Sequence, residues 1–275
     1  MDAPTTARAS NAAAPVLLRE RDNAVVTLVL NRPQPRNSLS EVLLTELSGA
    51  LSDIASDRTV RAVILGANGP AFCAGHDLKE LTSRRSDPDD GRDYFRSIMV
   101  ACSAMMQQIV NLPQPVIAAV QGTASAAGCQ LVASCDLAVA SRAAKFATPG
   151  VNIGLFCSTP MVALSRNVPR KHAMEMLLTG ELITAEKAAE IGLVNRVVAP
   201  GEERSAAVAL AAQMTSKSSH VLKIGKQAFY RQADMSLAAA YSYASEVMAE
   251  NMMAHDAEEG ICAFIDKRNP KWEDR

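Results

Sequence analysis

Between Pro115 and Leu131 the chain passes from a buried-type strand, through small residues only, into an apolar helix. Pro115 to Val120 reads as the strand. Nothing large stands between Gly122 and Gly128, and Cys129-Gln130-Leu131 open the helix. Small residues let a backbone come close to its neighbour. A helix start adds unpaired N–H groups and a partial positive charge. Such a stretch suits two purposes: a tight packing turn between strand and helix, or a cradle for a ligand oxygen.

A second stretch has the same form. Arg61-Ala62-Val63-Ile64-Leu65-Gly66 reads as a buried strand, and Gly69-Pro70-Ala71-Phe72-Cys73-Ala74-Gly75-His76-Asp77-Leu78-Lys79-Glu80-Leu81 follows. Asp77 is placed to cap the helix that begins there. Two such turns, if they face each other, supply two N–H donors to one oxyanion.

Composition narrows the partners. The 275 residues suit one large domain with an extension. Net charge is −1 and no long basic run occurs, which argues against nucleic acid. The single Trp and few aromatics form no stacking platform. No apolar run reaches the length of a membrane span. The six cysteines, at 73, 102, 129, 135, 157 and 262, fit neither a zinc site nor a disulfide framework. Buried free thiols in a reducing, cytoplasmic compartment are expected. His172, His220 and His255 share no metal-ligand spacing.

Residues 1–15, rich in Ala, Thr, Pro and Ser, read as a disordered arm. Were the arm a transit peptide, the location would be the mitochondrial matrix. Val16 to Arg19 and Val25 to Leu30 predict a hairpin around Asp22-Asn23, and Ser40 caps a helix through about Ala55. Arg84 to Gly91 reads as a mobile polar loop. Arg92 to Asn111 reads as a helix with Ile98, Cys102, Met105, Met106 and Ile109 on a core face. Strands at 60–66, 115–120, 136–140 and 194–198 alternate with helices, which predicts an α/β architecture. From Ser205 the pattern is helical, in segments near 202–216, 218–230, 235–254 and 256–267.

The two turns resemble the oxyanion-hole segments of the crotonase, or enoyl-CoA hydratase/isomerase, superfamily. Further motifs agree in order: Leu30-Asn31-Arg32-Pro33, Cys135-Asp136-Leu137-Ala138, Phe146-Ala147-Thr148-Pro149, Leu178-Thr179-Gly180 and Gly192-Leu193-Val194. The chain ends on Glu259-Gly260 with Phe264, Lys267-Arg268 and Pro270. The match spans about residues 16–272. It implies a crotonase (ClpP-like) spiral of ββα turns over residues 16–200, and a helical trimerisation region over 201–275. It implies a lyase or isomerase of fatty-acid metabolism acting on an acyl-CoA thioester, with no cofactor beyond the coenzyme A of the substrate. Homotrimers, or hexamers of paired trimers, are the expected assembly.

Residue by residue, the resemblance makes the backbone N–H groups of His76 and Ala127 the oxyanion donors. It places Ala74, Asp77 and Leu78 beside the substrate. Arg36 is the contact to the CoA phosphates or adenine, and Phe264 and Lys267 line a CoA site, in a neighbouring subunit or the same one. Hydratases also use two Glu. Their places here hold Gln130 and Gly150, and a position used by dienoyl isomerases falls at Ser158. Gln can orient a water but takes up no proton, and Gly supplies nothing. The expectation is an acyl-CoA site that keeps the oxyanion hole and lacks the hydration pair. Gly75-His76-Asp77 also resembles methylmalonyl-CoA decarboxylase, so a decarboxylase and a non-catalytic acyl-CoA binder are alternatives.

Overall fold

The structure is a computed structural model that describes residues 14–275. The expected arm lies outside the described residues except for Ala14 and Pro15. A hairpin opens the fold. β1 (Leu17–Asp22) and β2 (Val25–Leu30) pair antiparallel, and Asn23 takes the positive φ of the turn at 52°. α1 (Glu41–Ser56) follows. Its N-cap Ser40 accepts from Leu43 N, and Leu43, Leu44, Leu47, Leu51 and Ile54 enter the core.

A strand in a large sheet, a short strand in a small sheet and then helix recur three times. β3 (Ala62–Ala67) and β4 (Ala71–Cys73) lead to α2 (Leu78–Ser83) and α3 (Arg92–Asn111). β5 (Val116–Val120) and β6 (Thr123–Ser125) lead to α4 (Ala127–Ser134). β7 (Leu137–Ser141) and β8 (Lys145–Ala147) lead to α5 (Pro160–Asn167) and α6 (Arg170–Thr179). This is the crotonase spiral. β9 (Ile183–Thr184), α7 (Ala185–Glu190) and β10 (Arg196–Val198) complete the sheets. Four helices end the chain: α8 (Glu203–Thr215), α9 (Ser219–Gln232), α10 (Leu237–Met252) and α11 (His255–Ile265).

The large sheet has the order β1-β2-β3-β5-β7-β10 and is parallel from β2 onward. Ala62, Ile64, Ile117, Ala119 and Val139 face Ala207, Leu210 and Ala211 of α8. Val63, Leu65, Val116, Ala118, Val120, Ala138 and Ala140 face the main core with α1, α3 and α4. Both faces are covered, so these strands read as unbroken apolar runs. The small sheet has the order β4-β6-β8-β9, its first three strands parallel.

The methionine-rich face of α3 is core: Ile98, Cys102, Met105, Met106 and Ile109 are buried. The polar stretch before it contains a 3₁₀ turn at Arg84–Ser86, and Arg84 lies 4.6 Å over the Tyr94 ring. α9 is fastened to the core by charge. Lys226 Nζ donates to Asp136 Oδ2 at 2.7 Å and to Ile109 O and Gln114 O at 3.0 Å, while Tyr230 OH donates to Asp136 Oδ1 at 2.9 Å. α10 buries none of its residues within the chain, and Leu237, Tyr241 and Met248 are exposed. No helix among the described residues is long and apolar enough to cross a membrane.

Candidate active site

Three parallel strands of the small sheet end side by side, and each delivers one segment of the site. β4 hands the chain to Ala74-Gly75-His76-Asp77, β6 to Ala126-Ala127, and β8 to Thr148-Pro149-Gly150. Strand pairing, which sequence spacing cannot display, brings the two small-residue turns together. Gly75 takes φ +98°, and a Cβ there would stand 3.0 Å from Ala126 Cβ and 3.5 Å from Ala127 N. At Gly128 a Cβ would stand 2.1 Å from Cys73 O, so only glycine lets α4 start this close to β4.

The direction of each donor is fixed by its neighbours. Leu39 bridges His76 in parallel: Leu39 N donates to Gly75 O at 2.7 Å and Asp77 N donates to Leu39 O at 3.2 Å. A trans peptide points its N–H opposite its C=O. The His76 N–H therefore points away from Leu39, toward the side on which β6 lies. Ala126 sits at φ 50°, ψ −116°, outside the regions open to L-residues, a strain of about 1–3 kcal/mol. It is held there by Ala126 N donating to Ala147 O at 2.9 Å, with Gln130 N donating to Ala126 O at 3.0 Å. The Ala127 N–H is the first of α4 and has no intrahelical partner to take it.

Around these turns, buried polar atoms stand without protein partners: both ring nitrogens of His76, Gln130 Oε1 and Thr148 Oγ1. Burial holds the His76 imidazole below its ordinary value, so the ring is neutral at pH 7. Burial raises the Cys129 thiol to about 12, and it raises Cys157 as well, so neither is a thiolate nucleophile. Asp77 does not bond the His76 ring. Its Oδ1 caps Lys79 N at 3.2 Å, while Oδ2 accepts from Arg32 and Ser38. Burial would raise its carboxyl, but the hydrogen bonds from Arg32, Ser38, Glu80 N and Lys79 N more than offset this and hold it low.

The family model described as Enoyl-CoA hydratase/isomerase matches residues 20–275. The chain belongs to that family. It is 46% identical to the Homo sapiens protein named "Enoyl-CoA hydratase domain-containing protein 3, mitochondrial", over 94% of this chain and 83% of that one. It is 33% identical to the "Probable enoyl-CoA hydratase" of Rhizobium meliloti, over 94% and 98%. Among solved structures, an enoyl-CoA hydratase of Mycobacterium smegmatis superposes with TM-score 0.90 at 52% identity, covering 94% of this chain and 99% of that one. Human enoyl-CoA hydratase domain-containing protein 3 superposes with TM-score 0.89 at 45% identity, covering 94% and 100%.

The remaining residues singled out in this enoyl-CoA hydratase/isomerase-family chain are placed as follows. Ala74 is exposed, its N–H donating to Arg36 O at 3.0 Å. Arg36 is exposed at φ 53°, and Leu78 is half exposed at the start of α2. Ser158 is exposed, its N–H donating to Phe156 O at 2.7 Å. Gly150 is buried against Leu155 O and Cys157. Phe264 and Lys267 are exposed on α11 and just beyond it, and α11 packs chiefly on α9 and α10 rather than on the turns. A cavity of about 660 Å³ between Arg58, Gln114, His220 and Lys223 touches none of the turn residues. Sequence reasoning passed over Thr148 as a polar group at the site. It also missed the Arg32–Asp77 pair, because no local signal links positions 45 residues apart.

Proposed function

We propose that this chain binds an acyl-CoA thioester and stabilises its enolate between the N–H groups of His76 and Ala127, without a carboxylate pair to place and activate water. The observation that carries this reading is the approach of the two turns, with the space of a Gly75 side chain closed by Ala126 and Ala127 N. Charge developing on the thioester oxygen would meet two main-chain donors and the positive end of α4. One donor of this kind contributes about 3 kcal/mol to a transition state.

The proton-transfer side is reduced. Gln130 can hold a water through its amide but takes no proton from it. Gly150 has no side chain, and Leu155 O and Cys157 Sγ stand 2.9 and 3.0 Å from where a Cβ would be. Thioester binding is retained on this reading, and hydration of a simple enoyl-CoA is slow. The uncovered face of α10 suits a homotrimer or hexamer, in which Phe264 and Lys267 would reach the CoA of a neighbouring copy.

A second reading draws on His76. Loss of CO2 from a malonyl-type thioester leaves the bonding electron pair on the α carbon, delocalised onto the thioester oxygen. A proton must then reach that carbon. The His76 ring nitrogens have no protein partner, and the ring would have to take up a proton before it could deliver one, because its lowered pKa leaves it neutral at pH 7; on this reading decarboxylation rises as pH falls.

The test is loss of the conjugated-thioester absorbance of crotonyl-CoA, with calorimetric binding of the same ligand in parallel. Binding without turnover is the expected result. Turnover at an ordinary enzymatic rate, about 10 s⁻¹, would show that the carboxylate pair is dispensable and overturn the reduced-site reading. No binding would overturn the thioester reading itself. CO2 release from malonyl-CoA or methylmalonyl-CoA, abolished in His76→Ala, would establish the second reading.

A further inference from the structure

The His76 N–H stands at the end of a chain of hydrogen-bonded peptide groups, and a cation stands at its head. Arg32 Nη1 donates to Ser38 O at 2.6 Å. Ser38 O belongs to the peptide whose N–H is that of Leu39. Leu39 N donates to Gly75 O at 2.7 Å. Gly75 O in turn belongs to the peptide whose N–H is that of His76. Both bonds are at the short end of the N–H to O range.

We propose that Arg32 is a positioning residue for the oxyanion hole, aiming and polarising the His76 N–H through these two peptide units. The proposal rests on the oxyanion reading above and deepens it.

Three physical points support the relay. Gly75 has no Cβ to restrain its ψ, so the plane of the 75–76 peptide needs an outside hold. The bond from Leu39 to Gly75 O is that hold, and the 38–39 peptide is itself fixed by Arg32. Second, hydrogen-bonded chains polarise one another, and a charged donor at the head strengthens each bond downstream. Third, Arg32 is itself held in place. Its Nη2 donates to Asp77 Oδ2 at 3.1 Å, and Ser38 Oγ donates to the same oxygen at 3.1 Å. Arg32 N donates to Asn37 Oδ1 at 2.8 Å. Asp77 follows His76 directly, so the guanidinium grips the turn on both sides of the donor. The two side chains are 20% and 11% exposed, which leaves the pair partly shielded from water. Only a guanidinium spans both acceptors, because its planar fork offers two nitrogens at fixed separation.

The experiment reads carbonyl polarisation without turnover. A chromophoric thioester, 4-(dimethylamino)cinnamoyl-CoA, shifts its absorbance to the red when its carbonyl oxygen is drawn into an oxyanion hole. The wild-type protein is expected to give such a shift. Arg32→Met is expected to lose about half of it or more, and Arg32→Lys to lie between. Added guanidinium ion should restore part of the Arg32→Met loss. A melting temperature within about 2 °C of wild type would separate relay from unfolding. If Arg32→Met does not fold, Arg32→Gln keeps a neutral donor for Ser38 O and decides the matter in its place. A folded Arg32→Met or Arg32→Gln protein with the full red shift overturns the proposal and leaves the oxyanion reading intact. A wild-type complex that binds the probe with no shift overturns both.

Discussion

Gly150 and Cys157 share one space: a Cβ on Gly150 would stand 3.0 Å from Cys157 Sγ and 3.3 Å from Cys157 N. If Gly150 stands where a second carboxylate would, as the proposed function has it, that place is closed as well as empty. Restoring a Glu there is a packing problem before it is a chemical one. Gly150→Glu alone should destabilise the protein by about 1–3 kcal/mol. In a Cys157→Gly background the cost should fall by about 1 kcal/mol, a coupling that urea unfolding of all four proteins would measure. Only with Cys157→Gly and Gln130→Glu beside it should Gly150→Glu raise hydration of crotonyl-CoA. Equal cost in both backgrounds would mean the sulfur is not the obstacle.

His76 predicts a pH dependence with a definite sign. Burial depresses its pKa below the ordinary value of 6.5, so the unfolded chain binds the proton first. Stability therefore falls as pH drops below that value, at up to about 1.4 kcal/mol per pH unit from this group. His76→Phe should lose that part of the slope. Urea unfolding at pH about 7 and about 5 for both proteins gives the comparison. A variant as acid-sensitive as wild type would place the imidazole in contact with water.

Gly128→Ala is expected to be severe for its size. One methyl group would meet Cys73 O at 2.1 Å and Cys73 C at 2.8 Å, both backbone atoms that cannot rotate aside. Either α4 or β4 must move, at about 3 kcal/mol, and the two donors separate. Thermal unfolding and crotonyl-CoA binding should both suffer. Gly154→Ala, where the left-handed φ of 76° is the only strain and nothing lies within 4 Å, should leave crotonyl-CoA binding unchanged.

Lys226 carries the attachment of α9. Its ammonium meets three acceptors and its side chain is 8% exposed. Lys226→Met leaves the Asp136 carboxylate short of its partner, at a cost of about 3 kcal/mol. Adding Asp136→Asn should recover part of that loss. Denaturant titration of the two variants checks both statements.

The framework of the fold is legible wherever burial or capping writes a local pattern. The unbroken apolar runs at 62–67 and 116–120, the Ser40 cap and the core stripe of α3 all appear in sequence because each is a local requirement. The three short strands β4, β6 and β8 are not legible. They hold three residues each, Ala-Phe-Cys, Thr-Ala-Ser and Lys-Phe-Ala, too few to show an alternating pattern, and they pair only where the fold brings them side by side. Residue types at the two small-residue turns are visible in the same way, since small residues are a local need. That the turns face each other, that Ala126 is strained, and that Asp77 answers to Arg32 depend on contacts between distant segments. The closure over Gly150 is hidden for the same reason, because a glycine shows no sign of what fills the space beside it.

The central claim is that the His76 and Ala127 N–H groups together hold a thioester oxygen. Isotope-edited infrared spectroscopy of crotonyl-CoA carrying ¹³C at the thioester carbon reads that contact directly. The account predicts that the labelled C=O stretch of the bound ligand moves to lower frequency than in free solution, as hydrogen bonds draw charge onto the oxygen. A saturated complex whose C=O stretch stays at or above the free value would contradict it.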